Sequence, residues 1–216
     1  MLDSNWDLIN GQDAHDIEVL NHSNQINVME ALVKFLMHHD QTNPGEGCKF
    51  YPSMQALKEL HRTGTLFLLE MPGEWREVDV QVGKADGTVV HNPPPWKEVP
   101  THVDVFMNEL QAKWAVSSPV HIAAYCLWRI NWIHPFKNGN GRCARAFTYA
   151  CLCLRYGLML PGSPTVIDLI MADKTPFEAA LNHADQTLAA TGTPDLGQME
   201  TYIEGLIKAQ LSSIPP

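Results

Sequence analysis

At 216 residues with a formal net charge of −9, the chain is long enough for one well-packed core and short for two. Its acidity argues against general nucleic-acid or anionic-membrane binding. With 45% hydrophobic and 18% charged residues it has the make-up of an ordinary globule, and its apolar runs carry His, Arg or Asn where a membrane span would not.

The opening Met-Leu-Asp-Ser-Asn-Trp-Asp lacks the basic start of a secretory signal, which predicts a cytoplasmic protein. Residues 1–22 are polar and acidic and read as a loosely packed lead to a single domain over 1–216. The core of that domain is expected over about 45–160, with C-terminal helices over 164–212. Ile26 to His39 has the apolar spacing of an amphipathic helix, and 40–47 reads as a loop. Ser53 can cap a helix running to about Thr63. Val78–Val82 and Thr88–Val90 flank Asp86-Gly87, the signal of a β-hairpin. Such a flap can align an extended peptide by strand addition, or it can be a small structural hairpin. Pro93-Pro-Pro95 is a stiff connector before a helix over Val99–Ala115.

Val120–Ile133 is apolar nearly all round and predicts a central buried helix, ended by Pro135. A second buried helix is expected over Arg142–Leu158, with Gly157 at its C-cap. Further helices are predicted over Pro164–Ala172, Pro176–Thr187 and Leu196–Leu211. Seven or eight helices with one hairpin define an all-α fold. Cys48, Cys126, Cys143, Cys151 and Cys153 form no disulfide pattern and read as buried free thiols. Cys151 and Cys153 face different sides of their helix, which disfavours a zinc site there.

Between the two buried helices lies His134-Pro-Phe-Lys-Asn-Gly-Asn-Gly-Arg-Cys-Ala-Arg145. Gly139 and Gly141 let the backbone turn its amides inward at a helix N-terminus, where unpaired N–H groups favour anions. Asn140 can reinforce that turn or donate its amide to an oxygen. Arg142 and Arg145 stand three apart and share one helix face, and arginine forks suit phosphate oxygens. His134 sits five residues before the turn, placed to take a proton from an attacking group. Taken singly, the histidine reads as a satisfied core side chain and the arginines as solvated charges. Together they suit binding of a polyphosphate and transfer of part of it.

This run resembles the signature of the Fic family, His-Pro-Phe-x-(Asp/Glu)-Gly-Asn-Gly-Arg-x-x-Arg. Leu57–Arg62 followed by Pro72-Gly-Glu-Trp-Arg76, and Val89–Trp96 followed by Val99-Pro100, resemble the family's upstream helix and proline-rich stretch. The resemblance implies a Fic-type helical bundle with a β-hairpin flap. It further implies transfer of AMP from ATP, with Mg²⁺, to a Ser, Thr or Tyr hydroxyl of a target protein docked at a flap near 78–90. His134 would deprotonate the hydroxyl, Gly139, Asn140 and Gly141 would hold phosphates, and Arg142 and Arg145 would bind the departing pyrophosphate. The departure is Asn138, where the family carries an acidic metal ligand. An amide oxygen can coordinate Mg²⁺ without charge, which implies a weaker metal site with the ion carried largely by phosphates and water.

Many Fic proteins carry an inhibitory Ser/Thr-x-x-x-Glu-Gly/Asn helix. Ser23–Val28 has Asn27 in place of the glutamate, whereas Glu200–Gly205 keeps Glu204, a candidate to pair with Arg145. The plain alternative is a solvated face of the last helix. An antitoxin partner supplying the glutamate is equally compatible. Other readings are a Fic enzyme using another donor, moving phosphate or phosphocholine, and a nucleotide-sensing protein with weakened chemistry.

Overall fold

The computed structural model describes residues 6–84 and 86–214. Eight α-helices are present among them, with one short hairpin, as the all-α reading requires. The first helix departs most from expectation. Helix α1 runs over Gly11–Asp40, so the segment read as a loose lead is helical from Gly11 onward. Residues 1–5 of that lead lie outside the described residues. The buried positions of α1 are Ala14, Glu18, Asn21, Gln25, Met29 and Val33, all on one stripe. Three of the six are polar, so the N-terminal half has no apolar periodicity to read. Their polar groups are satisfied instead: Asn21 donates to Leu66 O at 2.8 Å and Gln25 to Leu60 O at 2.7 Å.

Helix α2, Met54–Thr65, is capped by Ser53, whose Oγ accepts from Ala56 N at 3.2 Å. The hairpin is shorter than predicted and displaced along its first strand. Strand β1 is Val82–Gly83 and β2 is Val89–His91, with Val82 opposite His91 and Gly83 opposite Val89. Val78–Gln81 stays out of the ladder because its neighbourhood is engaged elsewhere. Arg76 donates to Val78 O at 3.0 Å, and Asp79 accepts from Trp96 N at 2.8 Å.

A 3-10 turn at Trp96–Glu98 leads into α3, Val99–Trp114. Ser118 caps α4, Pro119–Ile133, and Gly157 in the left-handed region closes α5, Asn140–Tyr156. Helix α6, Val166–Ala172, starts with a Thr165–Asp168 capping box; α7 is Thr175–Thr191 and α8 is Gly197–Ser212. The α4–α5 pair is the centre of the molecule: α1, α2 and α6 pack on α5, while α3, α7 and α8 pack on α4. Burial explains why: ten of the fifteen residues of α4 and thirteen of the seventeen of α5 are inaccessible. Each large apolar side chain so buried contributes about 1.5–3 kcal/mol. All five cysteines are free and buried, and the Cys126 thiol donates to the Cys151 sulfur at 4.0 Å, well beyond disulfide length. No described helix is long and apolar enough to cross a membrane.

Candidate active site

The turn between α4 and α5 is where the chemistry-bearing residues converge. His134 closes α4, its N–H donating to Ile130 O at 2.9 Å, and adopts φ 50 and ψ 59. A left-handed residue other than glycine costs about 1–3 kcal/mol and persists only where neighbours enforce it. Arg76 supplies that enforcement. It is 3% exposed and donates to His134 O at 2.9 Å and Pro94 O at 2.5 Å, while its own N–H reaches Pro135 O at 2.9 Å. With its bond to Val78, one buried guanidinium ties the His134 turn to the root of the hairpin.

Phe136 is fully buried and stacks flat on His61, ring centroids 3.6 Å apart, with Trp75 tilted against it at 5.0 Å. His61 has its tautomer dictated by the backbone. Gly73 N–H donates to Nδ1 at 2.9 Å, so Nε2 carries the proton and donates to Asn138 O at 2.8 Å. Burial pushes its pKa down to about 4, which keeps it neutral.

Asn140 clasps the loop from within. Its Oδ1 accepts from Phe136 N and its Nδ2 donates to Phe136 O, both at 2.8 Å, with the side chain 1% exposed. Its side-chain amide is thus engaged within the turn, and what it offers a ligand in this arrangement is its backbone N–H. Gly139 has φ 74, and a Cβ there would meet Thr65 Cγ2 at 2.6 Å. Only glycine fits. Gly141 lies inside the first turn of α5, where a Cβ would stand 3.3 Å from an Arg145 nitrogen. The first intrahelical bond of α5 is Cys143 N to Gly139 O at 3.0 Å, so the amides of Asn140, Gly141 and Arg142 precede it. Asn138 is half-buried and turns Oδ1 onto Gly139 N at 2.6 Å. One hard, neutral oxygen is what this position could offer a divalent cation.

Arg142 and Arg145 line a cavity of about 350 Å³ with His15, Glu18, His22 and Asp168. Arg142 donates to Gly64 O at 2.9 Å and pairs with Glu18 at 3.3 Å. The Trp6 ring covers its guanidinium at 5.6 Å, and Trp6 Nε1 donates to Glu18. Asp7 binds Lys137 at 2.5 Å, so the N-terminal segment lies across the turn. Lys137 is exposed as its sequence suggests, but it anchors that cover. Glu204 is exposed on α8 near Tyr156, which is eleven residues past Arg145 on α5, about 16 Å along the axis. Glu18 is a carboxylate that does reach an arginine of the turn, Arg142, and sequence patterning passed over it because it lay in the supposed loose lead.

His134 itself is held unprotonated. Its Nδ1 lies 3.4 Å from Asn131 O, a group that can only accept, which leaves the lone pair of the neutral ring on Nε2. Burial pushes its pKa down to about 4; the Asn131 carbonyl opposes this, and His91 and Arg76 add to it.

A helical turn of this build defines a class. Residues 51–152 match the Fic/DOC family, and the chain carries a Fic/DOC-family domain, whose members generally transfer nucleotides or other groups. Solved structures share the fold. A Fic family protein from Desulfovibrio desulfuricans superposes with a TM-score of 0.68 at 18% identity, over 95% of this chain and 55% of that one. A Fic-domain signalling protein from Bacteroides thetaiotaomicron gives 0.70 at 19%, over 94% and 72%. BepC of Bartonella tribocorum, with bound AMPPNP, gives 0.53 at 15%, over 91% and 88%. The chain thus spans little more than half the length of the first of these. No curated protein matches the sequence.

Proposed function

We propose that this protein is an adenylyltransferase that moves AMP from Mg·ATP to a Ser, Thr or Tyr hydroxyl of a target protein docked at the 78–90 flap. The observation that carries this reading is a neutral His134 at one end of a twelve-residue turn whose other end opens on the Arg142–Arg145 cavity. In this scheme His134 Nε2 takes the hydroxyl proton as the oxygen attacks the α-phosphorus. The bond to the β-phosphate breaks, and pyrophosphate leaves toward Arg142 and Arg145. The helix-start amides neutralise charge growing on the α-phosphate oxygens. Asn138 contributes one neutral oxygen to the magnesium ion carried by the nucleotide. AMPPNP bound to BepC supports an adenine nucleotide as donor.

The inhibitory role for which Glu204 was a candidate, through Arg145, falls in this reading to Glu18, through Arg142. A triphosphate must displace Glu18 from Arg142 before its end can seat there, so the resting protein is restrained. The same contact, together with Asn138, favours one competing reading: a nucleotide-binding protein whose transfer is slight without a partner.

Purified protein incubated with ATP labelled at the α or the γ phosphate separates these. Label from α only, absent in His134→Ala and raised in Glu18→Ala, is the expected result. Label from γ only would mean phosphate transfer. No label in Glu18→Ala despite bound ATP would leave the binding reading.

A further inference from the structure

His91, at the end of β2, lies between two groups that can only accept hydrogen bonds. Its Nε2 is 2.8 Å from Trp132 O and its Nδ1 is 3.2 Å from Asp185 Oδ2 on α7. The other oxygen of Asp185 accepts from Trp128 Nε1 at 2.8 Å. A neutral imidazole has one N–H and would turn a lone pair toward one of these acceptors. Both contacts are satisfied only when both ring nitrogens carry protons. The proton resides on the ring, since imidazole is the stronger base by about two and a half pKa units.

The carbonyl partner is informative. Trp132 O belongs to the last turn of α4, where carbonyls lack intrahelical donors and favour a cation. The preceding carbonyl, Asn131 O, holds His134 Nδ1. The flap histidine and the candidate base therefore hang on consecutive carbonyls of one helix end.

We propose that His91 is a doubly protonated clasp and a positioning residue, fastening the hairpin to α7 and to the turn that bears His134. One proton then sets both the seat of the flap and the field at the base. The positioning role rests on the transferase reading; the clasp itself does not. Burial pulls the His91 pKa down, but the Asp185 carboxylate and the Trp132 carbonyl outweigh it, and the net direction is up. His91 in turn helps hold His134 unprotonated. Other charged or titratable groups near the clasp lie across the Trp132 ring: Arg129 of α4 at 4.5 Å and His102 of α3 at 5.2 Å. Because the folded pKa is raised, the clasp is complete below the ordinary histidine value and is lost as pH rises through the folded one.

The test is proton-detected ¹⁵N NMR of the full chain labelled at histidine, with His91→Gln locating the signal. Both His91 nitrogens should be protonated up to a pKa above the ordinary value of about 6.5, and Asp185→Asn should lower it. Exchange protection at 89–91, with the intrinsic rise of amide exchange with pH divided out, should fall roughly tenfold or more above that pKa, the size of one lost charge-assisted bond, and at every lower pH in His91→Gln. The His134 pKa should rise in His91→Gln. A His91 carrying a single ring proton at pH 6, or flap protection factors indifferent to both pH and His91→Gln, would overturn the clasp. If His91→Gln does not fold, the wild-type titration and Asp185→Asn carry the test. An intact clasp in a protein that never labels from ATP would sink the transferase reading and leave the clasp standing.

Discussion

Two segments meet at Arg142, and different chemistry holds each. The turn at 134–145 is clamped by bonds within itself and from Arg76, around a fully buried Phe136. The N-terminal segment over it, Trp6 to Gln25, is held mainly through side-chain polar contacts: Trp6 and Arg142 on Glu18, Asp7 on Lys137, and two amides on backbone carbonyls. Its apolar support is a small cluster of Trp6, Ala14, Leu68 and Leu69. The difference separates a fixed frame from a cover that a competing anion can loosen, because a phosphate would offer Arg142 charge-assisted oxygens in exchange for the one carboxylate, Glu18, now paired with it.

Variants can break this comparison at several depths. The largest effect is expected from His134→Ala, which should cut transfer by about 10²–10⁴-fold with the fold intact, since it removes the base and leaves the frame. A circular dichroism melt beside the labelling assay checks both halves, and transfer surviving in the variant would remove His134 from the mechanism. Arg76→Ala comes next. It strands three part-buried carbonyls and releases the strained turn, so urea denaturation should show a loss of about 3 kcal/mol or more, with activity falling too. An equally stable Arg76→Ala would mean that the left-handed His134 is held by something else.

Glu18→Ala tests the cover. ATP affinity measured by calorimetry should rise about tenfold, reflecting one charge-assisted bond no longer displaced, and unchanged affinity would show that Glu18 does not compete with the nucleotide. Trp6→Phe is milder, since it keeps a ring over Arg142 and deletes only the donor to Glu18; a rise of about two- to fivefold is expected.

Acid should act on the frame. His61 and His134 both have folded pKa values pushed down to about 4 by burial, so both are kept neutral. Depressed histidines add stability above the unfolded value of about 6.5, and that stability is lost as pH falls toward about 4. Denaturation midpoints should therefore drop across that window, less so in His61→Gln. Midpoints flat from pH 6.5 to 4 would contradict the buried, neutral state of both rings.

Legibility in the sequence followed the kind of contact. The helices around the motif were readable because α4 and α5 bury apolar side chains on almost every face, and Gly139 because its turn admits no Cβ. The hairpin was legible at Asp86-Gly87, where Thr88 N bonds Asp86 Oδ1 at 2.9 Å, but not in its first strand, where side-chain bonds to Arg76 and Trp96 compete with the ladder. Glu18, Asn21 and Gln25 hid a helix and a candidate inhibitory carboxylate, because buried polar residues look solvent-facing until their partners are seen.

The sequence alone determined the all-α class, the central apolar pair and a compact set of candidate anion-binding and proton-accepting residues, since periodicity, glycine and arginine act locally. Tertiary structure alone decided which carboxylate meets Arg142, that Arg76 holds His134 in a left-handed turn, and that His91 meets both α4 and α7. These are contacts between residues tens of positions apart. Their energy comes from polar groups desolvated together, and one-dimensional spacing carries no trace of which groups will share that burial.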